Sequence, residues 1–370
     1  MKRIAILAIG RDVSALTPGT PLNERLTLYD SYHTFIYVIM AVGAPKKIMI
    51  GTSVVVTGGG KSFIGAFFNA LRVAFRETKK YPDIKLVTTQ DVLYAGVVGY
   101  VVSLLKRKPL YVQLHGDYLD NPAWFTSKVG YGNRVMNFIG KWILRRADAI
   151  RVVSQRLLTQ IVREQGIEES KLISIPIGTD LSIFSQTENR QRSKTLLFVG
   201  RLIPEKEPLL FVNVASTICK KYPDVMIGIA GDGFLKEEMF NRFNQEGLSS
   251  RVKFYGALAQ RELSNVYAQS YCYIHTAGWE GWGMPMIESM AAGCPVVTTD
   301  SGCAGEAIRN METGMVVPVN DEAGLVLATE AILNDSTLWN SLVENGKKEA
   351  ELWSLKHLAV VNMEWYASVK

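Results

Sequence analysis

Cysteine and histidine are scarce, with four of each in 370 residues. Cys219, Cys272, Cys294 and Cys303 are scattered and lack the paired spacing of a zinc site. Reduced thiols are expected, and with them a cytoplasmic setting. No apolar run reaches the roughly 20 residues of a membrane-spanning helix. The longest, residues 92–105, is interrupted by Gly96 and Gly99 and flanked by Asp91 and Lys106. Residues 1–10 are short and alternate into a strand with no cleavage-like site, so a signal peptide is not expected. The Gly-x-Ser-x-Gly nucleophile elbow is missing. A complete phosphate-binding P-loop is missing too. Thr57-Gly58-Gly59-Gly60-Lys61-Ser62 ends like one, but Val55 stands where the motif needs its first glycine. That segment reads instead as a flexible loop opening the next helix, and as a candidate anion site for an acceptor.

What is present suits a globular chain of two domains, with 48% hydrophobic residues over this length. Charge is unevenly spread. Residues 1–190 hold 25 Lys and Arg against 14 Asp and Glu, whereas residues 191–370 hold 16 against 21. A basic first half suits an anionic partner such as a membrane, a lipid phosphate or a nucleic acid, and it equally suits a solvated surface.

Strands alternate with helices. Strands are expected at residues 3–10, 36–42, 47–52, 85–89, 110–114, 149–153 and 172–177, and helices at 63–80, 91–106, 135–146 and 157–165. Residues 11–33 read as a long loop. The polar stretch 181–194 is the best linker candidate. The alternation then restarts, with strands at 195–200, 226–230, 252–255, 271–276, 295–299 and 315–317 and helices at 209–221, 234–245 and 260–268. This pattern predicts α/β architecture with parallel, doubly wound sheets.

One stretch, residues 271–308, organises the rest. A short strand leads into Gly278–Gly283, three glycines and two tryptophans that must form a loop. Pro285 suits the start of a helix and Gly293 its stop, with Pro295 beyond. A helix opening beneath a glycine-rich loop offers free N–H groups and a dipole to an anion. Glu280 in the loop and Glu288 on the helix flank that place. Acids would repel a bare phosphate, but they accept hydrogen bonds from the hydroxyls of a ligand that carries both sugar and phosphate.

Residues Glu280, Gly281-Trp282-Gly283, Glu288 and Gly293-Cys294-Pro295-Val296-Val297 resemble the signature of the family 4 retaining glycosyltransferases. The resemblance implies a GT-B fold: two Rossmann-like domains facing a central cleft, residues 1–180 on the acceptor side and 195–352 binding the nucleotide sugar, with a terminal helix in 353–370 returning to the first domain. It also implies roles. Arg201 and Lys206, after the strand that ends at Gly200, would neutralise the leaving diphosphate. Glu280 would hold the donor sugar, the backbone at Gly283, Met284 and Pro285 would meet the phosphates, and Glu288 would hold the ribose diol. Gly231-Asp232-Gly233 would form a turn near the nucleotide, and residues 253–256 would lie near the base. His115 matches a family histidine near the reacting centre, and Asp117 would orient it.

Two departures stand out. Gly10 is followed by Arg11 where the family often has a Gly-Gly loop, and Ile177-Gly178-Thr179-Asp180 replaces the frequent Asn-Gly-Val-Asp.

The expected activity is retaining transfer from a UDP- or GDP-sugar to a hydroxyl of a lipid-linked or growing glycan, in bacterial-type surface glycan synthesis. The resemblance implies no metal and no cofactor beyond the nucleotide sugar. An anionic membrane surface is a candidate partner and the inner face of the membrane a candidate peripheral site; nucleic acid is not expected. A sugar-nucleotide epimerase and a catalytically silent nucleotide-sugar-binding module are the alternatives.

Overall fold

A computed structural model describes residues 3–116, 119, 130–185 and 193–368. The chain divides into two compact units, residues 1–177 with 355–370 and residues 178–354.

The first unit is built on a sheet of eight strands: β1 (Ala5–Gly10), β2 (Thr34–Ile39), β3 (Lys47–Ile50), β4 (Ser53–Thr57), β5 (Ile84–Thr89), β6 (Leu110–Leu114), β7 (Ala149–Val152) and β8 (Leu172–Ser174). Their order is β3-β4-β2-β1-β5-β6-β7-β8. All pairs are parallel except β3 with β4, which run antiparallel. The reason is chain length: only Gly51 and Thr52 separate those two strands, and a parallel return needs a crossover of a dozen or more residues. The remaining strands read as nearly continuous apolar runs because both faces of the sheet are covered.

The expected loop at residues 11–33 is largely helical. It holds a short 3-10 turn, Val13–Leu16, and α1 (Pro21–Asp30), whose N-cap Thr20 accepts from the Asn23 N–H. The following helices are α2 (Phe63–Lys80), α3 (Tyr94–Lys106), α4 (Gly130–Arg146) and α5 (Gln155–Gln165). Ser62 caps α2 by accepting from the Gly65 N–H. Gly60 is bridged to Gly43 by paired backbone bonds, so the glycine run is tied down at that end. The expected helix at 91–106 starts three residues late, because the Asp91 carboxylate accepts from the Leu93 and Ala95 N–H groups.

A polar network fills part of this unit's interior. Buried Arg151 donates to the carbonyls of Ile175 (2.8 Å) and Pro176 (2.7 Å) and to Gln113 Oε1 (2.7 Å). The Gln113 amide donates in turn to Thr88 Oγ1 (3.1 Å) and the Tyr366 hydroxyl (2.7 Å). Tyr366 belongs to the terminal helix, Leu355–Ala367, which is further held by Asn362 donating to the Tyr29 hydroxyl (3.1 Å).

In the second unit, Ser182–Ser185 of the expected linker is the short helix α6. Phe184 is buried there against the Tyr267 ring, and Ser264 Oγ donates to Ile183 O (2.8 Å). Residues 186–192 of the expected linker lie outside the described residues. Six parallel strands follow: β9 (Thr195–Val199), β10 (Met226–Ala230), β11 (Val252–Gly256), β12 (Cys272–His275), β13 (Val296–Thr299) and β14 (Met315–Val317). Their order is β11-β10-β9-β12-β13-β14. The helices are α7 (Pro208–Lys221), α8 (Lys236–Gln245), α9 (Gln260–Gln269), α10 (Met284–Ala291), α11 (Glu322–Asn334) and α12 (Ser336–Leu352), after which the terminal helix is α13. The core between sheet and helices is apolar, with Phe198, Phe211 and Phe243 at its centre. The four cysteines are buried and none is in a disulfide.

Candidate active site

Apart from residues 253–256, which form most of strand β11, every residue the sequence assigns to the donor side falls beyond the C-terminal ends of the adjacent strands β10, β9 and β12 of the second unit or on the helix that follows. In open parallel sheets this is where ligands bind, because the loops there leave the strands on one side and enter helices on the other. The first two loops are laced together. Gly200 N–H donates to Ala230 O (3.0 Å), Leu202 N–H to Asp232 O (2.9 Å) and Gly231 N–H to Gly256 O (2.8 Å). Gly231 has φ of 144°, and a Cβ there would stand 1.8 Å from Gly200 O. Only glycine lets the two backbones approach so closely.

A turn after β9 places the first charge pair. Pro204–Lys206 form one 3-10 turn that ends on Glu207 in the left-handed region, φ 45°. Thr276 Oγ1 donates to the carbonyls of Lys206 and Glu207 (3.0 Å each), and the Glu207 carboxylate accepts from the Gly278 N–H (3.1 Å). The turn is thus fastened to the loop after β12. Lys206 Nζ donates to Glu280 Oε2, and Glu280 Oε1 accepts from the Gly281 N–H (3.1 Å). Burial alone would raise the Glu280 carboxyl. The Lys206 ammonium, then His275 and the two hydrogen bonds, outweigh it and hold the group below its ordinary value. His275 Nε2 lies 4.0 Å from Glu280 Oε2, and its Nδ1 is 2.8 Å from the Tyr273 hydroxyl. Burial pushes the imidazole down to about 4, so it is neutral at physiological pH.

Helix α10 opens from this loop. Gly283 is its N-cap with φ of 91°, and no side chain caps the helix. Met284 and Pro285 are its first two residues; Pro285 has no N–H and the Met286 N–H donates to Gly283 O (2.9 Å), which leaves the Met284 N–H as the uncapped donor of the first turn. Trp282 is buried against the Trp353 ring (centroids 4.8 Å apart), and its carbonyl accepts from the Cys303 N–H (2.8 Å), which fixes the loop from behind. Glu288 is 6% exposed, its carboxylate has no hydrogen-bond or ion-pair partner among the described residues, and its oxygens are not sealed from solvent. Burial pushes it up to about 7. Burial, with Glu280 and then Glu288 nearby, pushes the Tyr273 hydroxyl up.

Arg201 is exposed and has no acidic partner among the described residues. His115 lies in the first unit, after β6. Its Nε2 is 2.9 Å from Gln90 Oε1, and its Nδ1 is buried with no partner. Desolvation, with Arg151 and then Arg25 nearby, pushes it down to about 3. Asp117 lies outside the described residues. The sequence reading missed His275, Tyr273 and Glu207. A histidine and an acid closing the strand and turn beside a Gly-x-x-Gly loop were the only signals for them.

The two-unit α/β architecture is that of the GT-B class. Sucrose-phosphate synthase from Thermosynechococcus elongatus superposes with a TM-score of 0.82 at 18% identity, covering 99% of this chain and 98% of that one. HepE from Anabaena, solved in complex with UDP-glucose, superposes with a TM-score of 0.76 at 20% identity, covering 99% and 100%. A family model described as glycosyl transferases group 1 matches residues 181–349, and one described as glycosyltransferase family 4 matches residues 32–183. The chain belongs to this family of GT-B glycosyltransferases. Glycogen synthase of Mycobacterium tuberculosis is 26% identical over 205 residues, 55% of this chain and 50% of that protein. An alpha-1,4-N-acetyl-D-galactosaminyltransferase of Campylobacter jejuni, named for a diNAcBac-PP-undecaprenol glycan, is 25% identical over 311 residues, 82% of this chain and 79% of that protein. The chain spans about half the length of glycogen synthase and of several other curated relatives it matches.

Proposed function

We propose that this protein is a retaining glycosyltransferase that uses a nucleoside-diphosphate sugar and transfers the sugar to a hydroxyl. The observation that carries the reading is Glu288. A largely buried carboxyl with no partner among the described residues, on the helix that follows the loop carrying the Lys206–Glu280 pair, suits a ligand that brings hydroxyls and phosphates together. Glu288 accepts from the ribose diol, and Glu280, held ionised by Lys206, accepts from hydroxyls of the donor sugar. The first turn of α10 and the cations of Arg201 and Lys206 face the diphosphate.

In the reaction, the acceptor oxygen bonds to the anomeric carbon on the face from which the diphosphate departs. The bond from that carbon to the phosphate oxygen breaks, and the leaving oxygen takes the acceptor's proton. Charge grows on the diphosphate in the transition state, and fixed cations and N–H groups stabilise it without reorganising. Arg201 and Lys206 do this without a metal ion. His115, neutral at working pH, acts in the first unit as a hydrogen-bonding group rather than a charge. UDP is the favoured nucleotide because HepE was solved with UDP-glucose. A lipid-linked glycan is the favoured acceptor because the Campylobacter relative is named for one.

The test is incubation with UDP-, GDP- and ADP-sugars, glycan acceptors and EDTA, with NMR of the product's anomeric centre. The expected product keeps the donor's configuration at a rate unchanged by EDTA. An inverted product sinks the mechanism. Interconversion of the donor sugar without any acceptor assigns the site to an epimerase instead.

A further inference from the structure

The first unit has a surface that the donor chemistry does not use. Helices α2, α3 and α4 lie side by side, as ring contacts between them show: Phe63 with Tyr94 (4.8 Å), Lys106 Nζ over Phe75 (5.6 Å) and Tyr100 with Trp142 (4.8 Å). Helix α3 runs twelve residues, from Tyr94 to Leu105, without a charged side chain. Its only hydroxyl outside tyrosine, Ser103, is spent on Lys108 O (2.6 Å). Yet this helix is not enclosed: Val97, Tyr100 and Val101 are half-exposed, and Leu104 and Leu105 are 61% and 63% exposed. The neighbours continue the apolar surface, with Ile64 and Phe68 (62% exposed) on α2 and Phe138 (70%) on α4. A surface helix normally turns polar residues outward, and large exposed apolar patches mark interaction sites.

The charge around this patch identifies the occupant. The three helices hold nine Lys and Arg and one acid, Glu77. Glu77 is buried and already paired with Arg76. Beyond α3, Arg107 and Lys108 add two more cations. Nine cations facing nine would repel a second copy of this chain. An apolar strip bordered by cations matches a bilayer instead, with acyl chains to receive leucine and phenylalanine and phosphates to receive lysine and arginine. No helix among the described residues is long and apolar enough to cross a membrane, so the contact is peripheral.

From this we infer that the outer face of α2, α3 and α4 docks on an anionic lipid bilayer, with Phe68, Leu104, Leu105 and Phe138 entering the interface. The inference does not rest on the donor-site reading.

Flotation with vesicles tests it, using neutral phosphatidylcholine alone or with roughly one third phosphatidylglycerol. The wild type is expected to float with the anionic vesicles at low ionic strength and to lose about tenfold in bound fraction in half-molar salt. The double variants Leu104→Glu/Leu105→Glu and Arg145→Glu/Arg146→Glu are each expected to lose about tenfold. Both keep buried positions intact, and their thermal shift with nucleotide reports separately on folding and on the donor site. Three results overturn the inference: no binding to anionic vesicles at low salt, equal binding to neutral ones, or undiminished binding by both variants. Concentration-dependent dimerisation abolished by Leu104→Glu/Leu105→Glu would also overturn it, by assigning the face to a second copy.

Discussion

Each unit buries charge, and the two do so differently. Arg151 in the first unit has no acid beside it among the described residues, but its guanidinium is satisfied by two backbone carbonyls and Gln113, whose amide reaches Tyr366 on the terminal helix. Glu288 in the second unit is nearly as buried, and its carboxylate has no partner among the described residues. A buried charge closed off by hydrogen bonds holds a fold together. A buried charge left open costs stability unless a ligand completes it. The first arrangement ties β6, β7 and α13 into one body, and the second is a binding site awaiting hydroxyls.

Lys206→Met breaks the comparison most severely. It removes a cation from the diphosphate and leaves Glu280 buried without its main partner. Turnover is expected to fall about 10³-fold, measured as sugar transfer at saturating donor. Arg151→Met acts on the other side. Three acceptors lose their donor inside a closed interior, so unfolding free energy should fall by about 3 kcal/mol in urea melts. The midpoint of nucleotide binding should not move. If nucleotide binding weakens more than stability, Arg151 is not the structural counterpart described here.

Arg201→Ala removes an exposed cation and should lower turnover by about 10²-fold with little change in melting temperature. Near-wild-type turnover would remove Arg201 from the reaction. Glu288→Gln has the smallest expected effect on binding or turnover and the most informative sign. The raised carboxyl favours the folded state fully below about 4.5, and this contribution is lost as pH rises through about 7. Glutamine does not ionise, so the free variant should be more stable than wild type above pH 7, by up to about 3 kcal/mol. The same variant should bind nucleotide about tenfold more weakly. A variant that is less stable at pH 8 would mean that Glu288 has a partner in the free protein.

The comparison also explains what the sequence could tell. The donor loops are local: Gly200 to Lys206 and Glu280 to Glu288 each lie within one strand–loop–helix passage, so the stretches that carry the family resemblance could be read without the fold. Helix α2 was readable to the residue because its apolar face repeats with helical period and Ser62 caps it. Helix α1 was not, since Pro18, Gly19 and Pro21 resemble a loop and the helix has little apolar stripe. The antiparallel β3–β4 hairpin hid because residues 47–52 looked like a single strand. His275 and Tyr273 acquire meaning only when the loop folds back to bring Glu280 within 4.0 Å of the imidazole, and no sequence period encodes that. The Arg151 network joins residues as far apart as Thr88 and Tyr366, beyond any local pattern.

The most direct test of the donor-site account is the thermal shift of the full chain with UDP, GDP, ADP and their sugar conjugates in EDTA, for wild type and Glu288→Gln. At 100 times its dissociation constant, the right nucleotide should stabilise the wild type by about 2.7 kcal/mol, and at the same concentration Glu288→Gln, binding about tenfold more weakly, should keep only about half of that shift. Absence of a shift with every nucleotide, or an equal shift in both proteins, would contradict the assignment of the open carboxylate to a nucleotide sugar.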